Sequence, residues 1–330
     1  MSVRAAGRLH LGFLDPSATL GRRFGSLGVM IDGFETGLEV AAAELDSVQA
    51  DTLGAQAELA RVCACLQCLR QQTGRHAPLA VRLRSALPAH AGFGSGTQLA
   101  LAVGRAFARW HALELPTAQL AHWLGRGQRS GIGIAGFDEG GLLVDGGPSA
   151  SGAPAPLLAR TALPEAWRIV VVVDPGFQGL SGAMERQAMA TLAPLAQAQA
   201  ADICHQVLMR VLPGAANDDF AAFAAGIKRV QELLAAHFAP AQDGSAWTSP
   251  AVGRLMQWLA SASARQNPTA PAAIGQSSWG PTGFAFLPTA QAAEALLAEA
   301  RAAGVVDAAL QLHVVACRNH GAVVSSAARR

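Results

Sequence analysis

Tyrosine is absent from the 330-residue sequence, and lysine occurs once, as Lys228, against 24 arginines. A cationic ligand contact therefore falls mostly to arginine, which favours bidentate recognition of phosphate or carboxylate. Charged residues are scarce, at 15% of the chain, and balance to +2. That near-neutral field makes no case for a nucleic-acid partner. Long hydrophobic runs are missing too. The longest strongly apolar stretch, Ile169 to Val173, is far too short to span a bilayer. No long apolar segment opens the chain, so neither a signal peptide nor a membrane partner is expected. The five cysteines are an odd number, which suits a reducing cytoplasm.

Apolar residues are plentiful, at 51%, enough for a sizeable core in one large domain or two ordinary ones. Cys63, Cys65 and Cys68 form a CxCxxC pattern inside a helical stretch whose apolar face is Leu59, Cys63 or Val62, Leu66 and Leu69. No second cysteine or histidine group completes a zinc site, so buried structural cysteines are expected.

The densest glycine stretch is "AHAGFGSGTQLALAVGRA", residues 89–106. Before it, Leu79, Val81 and Leu83 alternate with Ala80, Arg82 and Arg84, as in a half-buried strand. From Thr97 onward Leu99, Val103, Phe107 and Trp110 share one helical face. The order strand, glycine-rich loop, helix presents unpaired N–H groups and a positive dipole end to an anion. The alternative is a plain turn in which Ser95 or Thr97 caps the helix. No Gly-Lys-Ser/Thr follows, so the loop is not a P-loop, and its spacing is not that of a dinucleotide fingerprint.

A second dense stretch, "WLGRGQRSGIGIAGFDEGGLLVDGG" (123–147), sets Arg126 and Arg129 beside Ser130 and Gly131, with Asp138 and Glu139 further on. Around 148–165 a Pro/Ser/Gly/Ala-rich segment reads as a connection between halves. A central strand is expected at 167–174, long helices at 183–210 and 219–238, a loop at 240–250, a helix at 289–303 and a final strand at 310–324. The third glycine cluster is "QSSWGPTGFAFLP" (276–288).

"GRLHLGFLD" (7–15), "AGFGSGTQLAL" (91–101), "SSWGPTGFAF" (277–286), the 125–147 stretch and "GLSG" (179–182) together resemble the β-ribofuranosylaminobenzene 5′-phosphate synthases, which belong by fold to the GHMP kinase superfamily. The resemblance runs from about residue 4 to about residue 324. It implies an α+β fold in two parts: a ribosomal-protein-like domain over 1–160 and a ferredoxin-like domain over 161–330, with the site between them. It also implies condensation of phosphoribosyl diphosphate with 4-hydroxybenzoate or 4-aminobenzoate, with release of diphosphate and carbon dioxide, in methanopterin-type cofactor synthesis. A magnesium ion is expected, and homodimerisation is the general expectation for such a protein. Two alternatives stay open: an ATP-dependent small-molecule kinase, and a catalytically silent binding protein of the same fold. Against the kinase, Gly96, Thr97 and Gln98 stand where a GLGSSAA-like loop has its second serine and alanines.

The resemblance also nominates site residues. Asp138, His10 and Asp15 are the candidates for chemistry, and Ser95 with Asp138 for magnesium. Substrate contacts are expected from Arg8, Gly92, Gly94, Ser95, Gly96, Thr97, Gln98, Arg126, Arg129, Ser130, Ser277, Ser278, Trp279, Gly280 and Thr282. Read alone, His10 is more often a buried, satisfied histidine, and core packing is the alternative for Trp279.

Overall fold

Residues 2–15 and 24–42 form one long antiparallel pair that carries the first half of the molecule. The structure, a computed structural model, describes residues 1–149, 154–180 and 182–326. Residues 150–153 of the expected connection and Ser181 of "GLSG" lie outside the described residues. The first half runs β1 (Ser2–Asp15), β2 (Phe24–Ala42), β3 (Ser47–Ala50), α1 (Leu53–Gln56), α2 (Leu59–Thr73), β4 (Leu79–Ser85), α3 (Ser95–Trp110), α4 (Thr117–Trp123), α5 (Ile132–Glu139), β5 (Leu142–Asp145) and β6 (Leu157–Thr161). The second runs β7 (Arg168–Val173), α6 (Gly182–Thr191), α7 (Gln197–Gln206), a π turn (Val207–Val211), α8 (Leu212–Ala216), α9 (Phe220–Phe238), α10 (Pro250–Gln266), β8 (Ala273–Gln276), β9 (Thr282–Leu287), α11 (Ala290–Ala302), β10 (Gln311–Val315) and β11 (Val323–Ser325).

The first sheet has the order β11-β1-β2-β4-β3, and β5 and β6 extend from β2. β2 is long enough to serve two partners on one edge: residues 37–42 pair with β4 and residues 26–29 with β5. Register breaks between Ala6 and Arg8 and between His10 and Gly12 bracket a short piece of β1. Such breaks bend a strand and re-aim its side chains. Arg8 and His10, two apart, share one face of that piece.

The second sheet has the order β10-β7-β9-β8, all antiparallel. With its helices it is a β-α-β-β-α-β unit of ferredoxin-like connectivity. The run Ile169–Val173 is buried on both faces because alternation divides it. Val170 and Val172 pack with α10 and α11 through Leu255, Leu259 and Leu296. Ile169, Val171 and Val173 join a core that also takes in Leu9, Leu11, Leu27 and Phe93 of the first half. The two halves therefore share one hydrophobic core.

Three expectations need correction, and one helix was not anticipated. The helical pattern over 183–210 is interrupted after Thr191, where Pro194 lacks an N–H and disfavours helical backbone at Ala193. The stretch 310–324 is two strands in different sheets: β10 joins the second, and β11 returns to pair with β1, Ser2 opposite Ser325. The last strand of the expected second part thus completes the sheet of the first. In α2 the core face is Val62, Leu66 and Leu69, while Cys63 is exposed and Cys65 and Cys68 are half-buried. Helix α5, unexpected from three glycines in seven residues, forms because its neighbours require them: a methyl at Gly136 would collide with Met30, and one at Gly133 would lie 3.1 Å from Thr97 Cγ2.

Phe286 is fully buried, with its ring 5.1 Å from Phe223 of α9 and 5.6 Å from Phe284. Phe286→Ala should cost about 3–5 kcal/mol. A lowered guanidinium midpoint with an unchanged m-value checks this.

Candidate functional site

Glycine brings three sequence clusters into backbone contact. Gly94 is the N-cap of α3, left-handed at φ 73°, and supplies no side-chain cap. By position, the N–H groups of Ser95 and Gly96 have no acceptor within the helix. A side-chain cap such as serine or aspartate would occupy that place; glycine leaves it open to a ligand anion. Gly92 is left-handed at φ 89°, and a methyl there would lie 2.5 Å from Ser277 O. A methyl at Gly280 would lie 2.5 Å from the Ala91 carbonyl. The loops 91–94 and 277–280 therefore touch along their main chains.

Ser277 ties this junction to β1. Its hydroxyl accepts from His10 N at 2.9 Å and donates to Gly92 O at 2.8 Å. Ser278 N donates to His10 O at 3.2 Å, and Gly179 N to His90 O at 3.0 Å. His90 and Ser278 both hold left-handed backbone, at φ 57° and 56°, a conformation that costs energy without glycine. Thr282 serves at the base, where its carbonyl accepts from Ser277 N at 2.9 Å.

Two guanidinium groups flank the first turn of α3. Arg8 donates from Nη1 to Gly92 O at 2.6 Å and lies against Gly94, where a methyl would meet its Nε at 3.2 Å. Arg126 lies against Gly96, its Nη1 3.1 Å from a methyl placed there. Burial pushes the Arg8 guanidinium down to about 10, with Glu185 opposing the shift and Arg129 adding to it; Arg8 is still charged at neutral pH. Arg129 forms a two-pronged pair with Glu185 of α6, at 2.6 and 2.7 Å. Glu185 lies three residues beyond "GLSG" in α6, where a lone acid carries no signal of its own.

His10 is buried, its ring 4.7 Å from that of Phe13. Its Nε2 has no hydrogen-bond partner. Burial, and then the charges of Arg8 and Arg129, hold its imidazole well below the usual histidine range.

Several nominated residues do other work. Asp15 is buried and turned on its own loop, accepting from Ser17 N at 3.0 Å and Leu20 N at 2.7 Å. Gln98 is buried and joins α3 to α5 by donating to Gly133 O at 2.8 Å. Ser130 donates to Asp145 at 3.1 Å, and Asp145, its carboxyl raised by burial, also accepts from Gly131 N at 2.8 Å. Asp138 lies at the far end of α5, where Thr117 donates to it at 2.6 Å and Arg105 donates to Thr117. Arg105 is ten residues beyond Ser95 in α3, about 15 Å along the axis. Ser95 and Asp138 therefore do not fit a shared magnesium ion. Among the described residues no group of three His, Cys, Asp or Glu side chains could hold a metal. The α5 position that faces Thr97 is Gly133, which offers no carboxylate.

Beside the junction is a largely apolar cavity of about 300 Å³, lined by His10, Ser278 and Trp279 together with parts of α9, α10 and β8. Trp279 is buried, its ring 4.8 Å from that of Phe238.

The His10 environment makes a pH prediction. The folded state binds fewer protons there than the unfolded chain, so His10 makes stability fall as pH drops below about 6.5 and adds no slope above it. His10→Gln should remove up to one proton's worth of that slope, about 1.4 kcal/mol per pH unit. Denaturant titrations of both proteins between pH 5 and pH 8 check this.

A family model described as the GHMP kinases N terminal domain matches residues 60–141. The β-ribofuranosylphenol 5′-phosphate synthase of Archaeoglobus fulgidus is 36% identical over 245 residues, covering 71% of this chain and 76% of that protein. The protein of the same name from Methanothermobacter thermautotrophicus is 30% identical, over 69% of this chain and 74% of its own. Among solved structures, Streptococcus pneumoniae phosphomevalonate kinase superposes with a TM-score of 0.66 over 96% of this chain and 99% of its own; at 13% identity it speaks for the fold alone. The two-domain GHMP kinase architecture and these two relatives together make this chain a member of the β-ribofuranosylphenol 5′-phosphate synthase family.

Proposed function

We propose that the protein is a C-ribosyltransferase that condenses phosphoribosyl diphosphate with a para-substituted benzoate, releasing diphosphate and carbon dioxide. The observation that carries this reading is a cluster of arginines and open N–H groups beside which, among the described residues, no free acid is placed. Gly133 faces Thr97, and the nearby Glu185 is already paired with Arg129. A kinase has a hydroxyl proton to remove and is helped by a base. A ring carbon bearing a carboxylate has none, because carbon dioxide leaves in its place.

Departure of diphosphate leaves an oxocarbenium-like centre, and donors must take up the charge that develops on the leaving group. The Ser95 and Gly96 N–H groups, Arg8 and Arg126 are the donors we assign to that task. Arg129 joins them by exchanging Glu185 for phosphate. Magnesium enters with the diphosphate as part of the substrate, in keeping with its preference for phosphate oxygens and water. The relatives' name describes a ribofuranosylphenol, which favours 4-hydroxybenzoate as acceptor over 4-aminobenzoate. The same reading puts the product in methanopterin-type cofactor synthesis in the cytoplasm.

Phosphoribosyl diphosphate with magnesium should raise the melting temperature, by the equivalent of about 2.7 kcal/mol at a hundredfold excess over Kd. ATP should stabilise less. Carbon dioxide and diphosphate should appear one for one, and only with a benzoate present. Greater stabilisation by ATP, with no carbon dioxide from either benzoate, would replace this reading with the kinase one.

Arg126→Ala should lower kcat/KM by roughly 1.5–3 kcal/mol, the range for a hydrogen bond to a charged group. Lysine should restore only part of it, since it lacks the planar fork. Wild-type kinetics in a folded Arg126→Ala protein would make this an ordinary surface arginine.

A further inference from the structure

We infer that the cavity between β1, α9, α10 and β8 is the subsite for the aromatic acceptor, taking a planar aromatic carboxylate with a polar para group. The inference rests on the transferase reading and goes beyond it in assigning the acceptor a place. At about 300 Å³ the cavity is at the small end of ligand pockets, suited to one ring rather than a nucleotide. Its walls include Leu11, Phe13, Leu234, Phe238, Ile274 and Trp279. It shares His10, Ser278 and Trp279 with the junction that carries the phosphate cradle. A ring held there lies on the β1 side of the loops that would hold the donor.

Three polar features suit such a ligand. His10 Nε2 is buried, without a partner, and belongs to a residue of the cavity wall. A neutral imidazole nitrogen can donate to or accept from a hydroxyl or amine, and an unpaired buried one is costly until it does. Gln231, Gln242 and Gln276 add amide groups, though much of their capacity is already used, as in Gln276 Nε2 donating to Gln242 Oε1 at 3.0 Å. The third feature is the lack of arginine. Among the described residues no arginine lines the cavity, and the one lysine of the chain, Lys228, is a lining residue 3.9 Å from Glu232, also in the lining, where both meet solvent.

That lack matters for the chemistry. The ring carbon bearing the carboxylate bonds to the anomeric carbon as the anomeric C–O bond to diphosphate breaks. The ring-to-carboxylate bond then breaks, carbon dioxide leaves, and its electron pair restores the aromatic ring. No oxidant, reductant or external proton is needed. A carboxylate locked to an arginine would resist this loss, whereas one in apolar surroundings gives up charge as it goes. Among the described residues of the lining the one ion pair is Lys228 with Glu232, 3.9 Å apart and exposed to solvent; the rest of the wall offers the carboxylate no lysine or arginine.

Ala235 of α9 and Ala260 of α10, both half-buried, line the cavity. Ala260→Phe and Ala235→Phe, on separate helices, should each fill it without touching the cradle. Calorimetric titration of 4-hydroxybenzoate into the full chain should show binding that each variant weakens at least tenfold, with the affinity for phosphoribosyl diphosphate unchanged. Gly94→Val should show the reverse. If 4-hydroxybenzoate fails to bind the wild-type protein in the presence of the donor, or binds a folded Ala260→Phe or Ala235→Phe protein as tightly as wild type, the assignment is overturned. Turnover separates it from the reading beneath. Carbon dioxide release with an unchanged benzoate KM in both variants removes the subsite and leaves the transferase. Benzoate binding that both variants abolish, without turnover in wild type, removes the transferase and leaves the subsite.

Discussion

The candidate site depends on one contact: the main chain at Ala91–Gly92 pressed against that at Ser277–Gly280. Neither loop can carry a side chain at the touching points, because a methyl at Gly92 or Gly280 would overlap the opposite backbone. Ser277 then pins the contact to β1 through one hydroxyl that accepts from His10 and donates to Gly92. Arg8 reaches Gly92 from the same strand. Between the two register breaks of β1, Arg8 and His10 share one face, Arg8 reaching Gly92 and His10 lining the apolar cavity.

Charge is arranged with similar economy. Arg8 and Arg126 flank one helix start with Arg129 close enough to act on Arg8, and among the described residues Glu185 alone pairs with one of them. Burial of Arg8 beside Arg129 is costly by itself, and Glu185 opposes that cost. On the proposed function, a donor phosphate would relieve the repulsion between Arg8 and Arg129 and use the open N–H groups of α3 in the same step.

Much of this was legible in the sequence, for identifiable reasons. The alternation of Leu79, Val81 and Leu83 gave β4, and the glycines after Pro88 gave the turn into α3. The meeting of Arg8, Arg126, Ser277 and the 91–97 loop was also foreshadowed, since all were singled out together and they lie side by side in the fold. The rest was hidden where function depends on which end of a short helix faces the ligand. Asp138 and Gly133 are five residues apart, yet α5 turns Gly133 toward Thr97 and carries Asp138 to the opposite end beside Thr117. Asp15 looked available and is consumed by its own turn. Glu185 and the cavity residues of α9 and α10 carry no local signal, because only the packing of distant segments gives them neighbours.

The return of β11 to the edge of β1 has a consequence for how the molecule is made. Ser2 has its partner in Ser325, synthesised more than three hundred residues later. At a synthesis rate of about 5–20 residues per second, that edge of the first sheet waits many seconds for its last strand. Arg318 N donates to Met30 O, and Asp32 N to Ala316 O, along the same late segment. An unpaired edge of this kind is open to another nascent chain. Residues 316–325 therefore act as a late seal, and deleting them would leave a folded body with a sticky seam.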